Sequence, residues 1–371
     1  MSRLDNFCLS DNGMLSFNPR KAKMTSTETK KQYKQWFKKI KLGSPIIHKG
    51  VAVYPIFSEI TSTLDYLGLT AALERKVLKV TEINEGGSVP ELRVKNTAKR
   101  PILLVDGEEL EGAKQNRTLN SSILVPAESE IKIPVSCTEQ GRWNYSGDKH
   151  FESSGHVLES KTRARKMKSV SKTLYKMNNY SGNQSEVWNG IHQFETEMAN
   201  YSPTSAHKDV YKQKSKAFES GFSKFRKLEE GQQGVMVVID GHPVGLDFVS
   251  RPEVYGDIHE KLIKSYVFAP LHNGTKSDVK KKRASRAVAA FLARALTANA
   301  RAFDSVGHGF DLRAEAKHLV GTALNHEQES LHVSFLSLPK GFSRRSRTRR
   351  QNRGSFIDYI TTDNNSEDST D

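Results

Sequence analysis

Short apolar runs separated by turn residues dominate the first part of the chain. From Ile46 onward, residues 51–57 are continuously apolar, residues 77–83 (VLKVTEI) alternate, and residues 91–96 follow the Gly86-Gly87 turn. Residues 101–105, 121–125 and 130–135 complete the set. Their β-branched content, alternation and turn punctuation predict antiparallel strands. Pro134 lacks a backbone donor, which predicts an edge strand or a bulge at that point.

The pattern then lengthens to helical spacing. Residues 151–230 turn to Lys, Ser, Gln and Asn, with one apolar face on Val187, Trp188, Ile191 and Phe194. A second face lies on Tyr211, Phe218, Phe222 and Phe225, beyond a turn at Tyr201-Ser202-Pro203. Strands return at 235–239 and 244–248, joined by the hairpin turn Asp240-Gly241. Helices are predicted over 252–268 and 284–303, the second on Val288, Phe291, Leu292, Ala295, Leu296 and Phe303. Residues 320–324 and 331–338 read as a last hairpin. The sum is an α+β fold. It has an antiparallel, sandwich-like β-rich half (46–145), a helical middle segment (151–230) and an α+β part (231–338) with two later hairpins. All three belong to one expected domain, 45–340.

Composition narrows the class. A chain of 371 residues that is 36% hydrophobic can bury a sizeable core. It has no apolar run near the roughly 20 residues of a membrane helix, so no membrane partner is expected. The opening MSRLDNFCLSDNG lacks the apolar stretch of a secretory signal. Two cysteines, Cys8 and Cys137, do not make a disulfide framework, which points to a reducing, cytoplasmic setting.

The formal net charge of +15 is carried in blocks. Residues 1–44 read as a mobile basic arm, although Tyr33, Trp36, Phe37 and Ile40 have the spacing of a helix that docks on the body. Residues 161–176 and 276–286 are basic, and the tail 341–371 is Arg-rich, then acidic, with a disordered composition. Such runs read either as solvated charge or as a surface for nucleic acid, bound through counterion release. The Arg-rich tail adds the option of nuclear or nucleoid association.

Two polar bursts stand out between the apolar strands. The first holds Glu108, Glu109 and Glu111, then Lys114, Gln115, Asn116 and Arg117; the second holds Cys137, Glu139, Gln140, Arg142 and Trp143. Crowded carboxylates raise at least one pKa unless cations compensate. They read as sugar-binding or acid–base groups, or as a loosely paired exposed hairpin. Cys137 beside Arg142 reads as a nucleophile, or as a buried thiol next to Val135 with no histidine partner nearby in sequence. Arg142 suits a phosphate and Trp143 a base, although a core tryptophan is the plain alternative. The scattered histidines, His332 among them, show no metal-ligand spacing, so no metal is expected. No cofactor is named by any motif.

Glu111-Gly112, Gln115, Arg117, Val135-Ser136-Cys137, Glu139 and Gly141-Arg142-Trp143 resemble the ARG (ADP-ribosylglycohydrolase) and rhodanese-phosphatase-superfamily-associated protein domain family. The likeness runs on through Glu186-Val187-Trp188 and residues 234–248 to His332, spanning about 46–338. The resemblance implies a nucleotide-like anion linked to NAD or ADP-ribose as the small ligand. In that reading Glu111 and Gln115 hold the sugar, Arg117 and Arg142 the phosphates and Trp143 the base, with Glu109 or Glu139 moving a proton in any turnover. The alternative is a non-catalytic nucleic-acid-associated or scaffold protein acting through its basic segments. The site expectation requires that the two bursts meet in space.

Overall fold

In the computed structural model, residues 7–9, 15–17, 26–59, 62–145, 149–212 and 216–338 are described. Alternation in the first half wraps a sheet around its own apolar face. Every second residue of Glu91–Asn96 is buried, and Leu78, Val80 and Glu82 of the neighbouring Leu78–Glu82 are buried likewise. Six strands follow in the order Phe151–Val157, Glu108–Gly112, Arg117–Leu119, Ser129–Cys137, Glu91–Asn96 and Leu78–Glu82, each antiparallel to the next. The two end strands meet at a bridge between Thr81 and His150, so the sheet curls into a small barrel. Leu92, Val94, Leu110, Leu119, Ile133 and Val135 fill its interior, packed with Ile102, Leu104 and Ile123 of a separate three-stranded sheet. The expected sandwich-like half therefore takes the form of a barrel against a short sheet.

Pro134 lies in an interior strand rather than at an edge. Residues 129–134 pair with Glu91–Asn96, whereas 135–137 pair with Arg117–Leu119. The proline sits where the strand changes partners, a position that tolerates a missing donor.

The second half builds a larger antiparallel sheet. Its order is Asn299–Asp304, Phe310–Ala316, Leu319–His326, Glu329–Ser337, His242–Val249, Gly234–Ile239, Val51–Ser58 and Ile40–Leu42, with Ile46–His48 also on Val51–Ser58. One face is covered by helices Ser26–Lys39 and Lys281–Leu296, through Trp36, Val288 and Phe291 on Leu246, Phe248 and Phe335. Helices Ser160–Met177 and Pro252–Asn273 contact strands of the same sheet.

Three expectations change. The helix predicted over 284–303 ends at Leu296, because 299–304 is a strand; Phe303 packs on Val170 and Leu174, away from the Phe291 cluster. The segment predicted to be helical from 151 begins with the strand Phe151–Val157. The arm is not free from residue 26 onward: Trp36 is buried against Phe248, with ring centroids 5.3 Å apart. The disordered-tail expectation for 341–371 lies outside the described residues.

The basic run 161–176 is also resolved by position. It forms the helix Ser160–Met177, and Arg163 and Lys166 on it are fully buried. Arg163 Nε lies 3.2 Å from Asp106, its Nη2 2.6 Å from Asp247, and Lys166 Nζ 2.5 Å from Asp106. These two cations neutralise buried acids and are not a solvated or nucleic-acid-facing surface. Gly190 permits the helix to pack this way, since a Cβ there would lie 2.5 Å from Thr162.

Candidate functional site

The two polar bursts meet. Arg117 is the register partner of Cys137, and Asn116 accepts the amide of Thr138 at 3.0 Å. Arg142 locks them together. Its Nε donates to Glu139 at 2.9 Å, Nη1 to Ala113 O at 2.7 Å and Asn144 O at 2.9 Å, and Nη2 to Asn116 Oδ1 at 3.1 Å. Gln115 donates to the carbonyl of Glu139. The bursts sit at strand ends and in the connections beyond them, which brings many of their polar atoms onto protein partners.

Glu109 points to the outer face of the barrel, under the helical cover. Its oxygens accept from Thr138 Oγ1 at 2.6 Å and Ser154 Oγ at 3.1 Å, with His207 Nδ1 at 3.1 Å. Burial opposes its charge, but His207 and Thr138 hold the carboxyl below its usual range. Glu139 is held by Arg142 and by Thr204 Oγ1 at 2.8 Å. Cys137 is buried, its backbone held on both sides by Gln184 at 2.8 and 2.9 Å. Burial pushes its thiol up against the pull of Arg117, which disfavours the thiolate.

A cleft of about 300 Å³ opens beside this knot, lined by Glu111, Gly112, Asn116, Arg142, His150, Glu152 and Lys208. Lys208 reaches it from the short helix His207–Val210 and pairs with Glu111. His150 and Glu152 also line a second, larger groove of about 780 Å³. That groove is the seam of the barrel, where Leu78–Glu82 and Phe151–Val157 part below the Thr81–His150 bridge. Leu73, Leu78, Val80 and Phe151 give it an apolar wall, and Lys261 stands in it. Lys261 Nζ donates to Thr70 at 2.6 Å and Ser153 at 3.0 Å, and lies 3.6 Å from Glu108.

The sequence model of the ARG and Rhodanese-Phosphatase-superfamily-associated Protein domain (ARPP-1) matches residues 39–336. The chain belongs to the ARPP-1 family. No curated protein and no solved structure matches it.

The match begins at the end of the docked helix and runs to the last strand, so it takes in the barrel, the large sheet and the cleft of this ARPP-1 chain. Of the residues singled out in its sequence, Glu111 and Arg142 line the cleft. Gln115 and Arg117 lie behind it, 4% and 0% exposed, and Trp143 covers Arg117 with the guanidinium 5.4 Å from the ring centre. His150, Glu152, Lys208 and Lys261 carried no signal, because each stands alone in its sequence neighbourhood and converges only in the fold. His332 is a core residue: its Nδ1 meets Ser122 Oγ at 2.8 Å and its Nε2 lies 3.6 Å from Asp247. Among the described residues no group of three His, Cys, Asp or Glu side chains forms a metal site, and no helix is long and apolar enough to cross a membrane.

Proposed function

We propose that this ARPP-1 chain binds a nucleotide-like anion, of the kind met in NAD and ADP-ribose metabolism, in the cleft and the seam that continues it. One observation carries the reading: Lys208, His150, Glu111 and Glu152 together line a cavity that adjoins a groove with an apolar wall. Lys208 supplies charge to a phosphate, and His150 a ring N–H donor. The carboxylates of Glu111 and Glu152 accept hydrogen bonds from sugar hydroxyls. The base lies against Leu73, Leu78, Val80 and Phe151. Volumes of about 300 and 780 Å³ suit such a ligand, since small-molecule sites span roughly 300–1,000 Å³. The ligand class comes from the family name, which records an association with ADP-ribosylglycohydrolases.

The roles shift from those the sequence implied. Arg142 orders the floor of the cleft, since its N–H groups are engaged with protein oxygens. Gln115, Arg117 and Trp143 build the wall behind it. Glu109 and Glu139 act as anchors, their oxygens taken by Thr138, Ser154, Thr204 and Arg142.

Isothermal titration with ADP-ribose, adenosine and ribose 5-phosphate tests the division of the site. ADP-ribose is expected to bind tightest, with ribose 5-phosphate losing the seam contribution and adenosine the charge. An equal, weak response to all three would overturn it.

A further inference from the structure

One mouth of the barrel carries a layer that the cleft does not use. Along the interior face, Leu92, Ile133 and Leu119 give way at one end to Glu82, Arg117 and Cys137. Directly opposite residues in antiparallel strands share a face, so all three side chains belong to the interior. Arg117 is 0% exposed and Glu82 7%. A charged pair inside a barrel costs several kcal/mol of desolvation unless its hydrogen-bonding atoms are matched.

Here they are not matched. Arg117 Nη1 donates to Gln115 O and Oε1, both at 2.9 Å. Among the described residues, Arg117 Nε and Nη2 have no hydrogen-bond partner, and neither do Glu82 Oε1 and Oε2. The nearest approach of the two groups is 3.8 Å, an ion pair too long for a hydrogen bond. Nε and Nη2 form the side edge of the guanidinium, the fork that grips a planar acceptor with two parallel bonds. Two free donors thus stand near two free acceptors, all enclosed.

The cover over this layer is thin. Trp143 lies across Arg117 and is itself 40% exposed. Gly87, at φ 80°, completes the cover: a Cβ there would meet Trp143 Cζ2 at 3.2 Å and Glu82 Oε2 at 3.5 Å. A side chain at this position would press the tryptophan and the acid apart. Lys114, also 3.2 Å from that Cβ, has its Nζ 5.8 Å from the indole centre and donates to Gly86 O at 3.0 Å.

We propose that this barrel mouth is a second, small-molecule site, distinct from the cleft, which takes a ligand presenting an acceptor to the Arg117 fork and an N–H donor to Glu82 beneath Trp143. A zwitterionic amino acid and a primary carboxamide share that chemistry. In the first, the carboxylate meets Arg117 and the ammonium meets Glu82. In the second, the carbonyl and the amide N–H do the same. Barrel mouths are common ligand positions, and buried unmatched polar atoms of opposite sense call for an occupant.

Cys137 reports on the layer. In a Cys8→Ser protein it is the one remaining thiol, since the chain has two cysteines. Iodoacetamide should modify it slowly, and Trp143→Ala should speed the reaction by removing the cover. Glycine and acetamide should each slow the modification, about tenfold at ten times the dissociation constant, with acetate weaker than either. Arg117→Lys should abolish both effects, and Glu82→Gln should remove glycine protection while sparing acetamide. Circular dichroism checks that each variant is folded; for a variant that is not, quenching of Trp143 emission in the unmutated chain, absent in Trp143→Phe, replaces it. Should millimolar glycine, acetamide and acetate leave both alkylation and emission unchanged, the layer is a closed ion pair holding water and the proposal fails. It fails equally if Trp143→Ala does not expose the thiol.

Discussion

Arg163 joins Asp106 to Asp247. Its guanidinium lies 3.2 Å from Asp106, at the turn that leads into the barrel, and 2.6 Å from Asp247, in the middle of the large sheet. Ser334 on the next strand receives a further hydrogen bond at 3.0 Å. One fully buried side chain on a helix therefore ties the two β-structures together, and Lys166, one turn later, holds the same Asp106 and the carbonyl of Leu119 on the barrel side.

Removing that tie leaves Asp247 without its guanidinium and Asp106 with Lys166 alone. Arg163→Met is expected to cost about 3–5 kcal/mol, the usual penalty for breaking a buried pair. Urea denaturation followed by circular dichroism measures it. A loss below about 1 kcal/mol would mean that the hub relaxes or hydrates.

Lys166 makes a prediction on the alkaline side. Burial, opposed by Asp106, pushes its ammonium down to about 8. The unfolded chain then binds more protons than the folded one between about 8 and the ordinary lysine value, so stability contributed at this site rises with pH across that window. Wild type should gain about 1–3 kcal/mol relative to Lys166→Met between pH 7.5 and 10. Parallel stability profiles for the two proteins would refute the assignment.

Asp247 acts at the acid end. Burial works against its charge, yet Arg163 and His332 hold its carboxyl well below the usual range. Its contribution is present above the unfolded carboxylate value near 4 and is lost as pH falls through the folded one. Asp247→Asn should flatten the acid limb of the stability profile while lowering stability at pH 7. An unchanged acid limb is the contrary result.

Glu109 positions the helix that carries Lys208. It meets His207 at 3.1 Å, one residue from the cleft lysine. Glu109→Gln should leave the protein folded, at a cost of about 1–3 kcal/mol for the weakened buried contacts. Ligand affinity should fall several-fold through the displaced Lys208. Identical affinity in titrations of both proteins would separate Glu109 from the site.

Much of the fold was legible in residues whose own neighbours decide their state. Glu91–Asn96 alternates, Asp240-Gly241 turns, and Val288 and Phe291 mark a helical face; all three are found in place. The strands Glu108–Gly112 and Arg117–Leu119 were hidden because their polar residues look like loop. They are buried by partners far along the chain, such as His207 for Glu109 and Glu82 for Arg117. Phe303 kept helical spacing by coincidence, and only pairing with Phe310–Ala316 decides its strand. The site divided similarly. The two bursts were legible as unusual, but their meeting, Arg117 opposite Cys137, was left open by the sequence, and Lys208 and His150 are ordinary residues until the fold sets them on one cleft. Within the basic run 161–176, Arg163 and Lys166 were hidden for the converse reason, since their acids, Asp106 and Asp247, lie elsewhere in sequence.

The cleft is tested most directly by thermal-shift measurements on wild type and on Lys208→Met/His150→Asn, each with ADP-ribose, NAD and simple nucleotides. A ligand that binds the native state raises the midpoint by mass action. The account predicts a rise for wild type that weakens with salt and is absent in the double variant, with both proteins equally folded. No rise for wild type with any of these anions, or an undiminished rise in the variant, would contradict it.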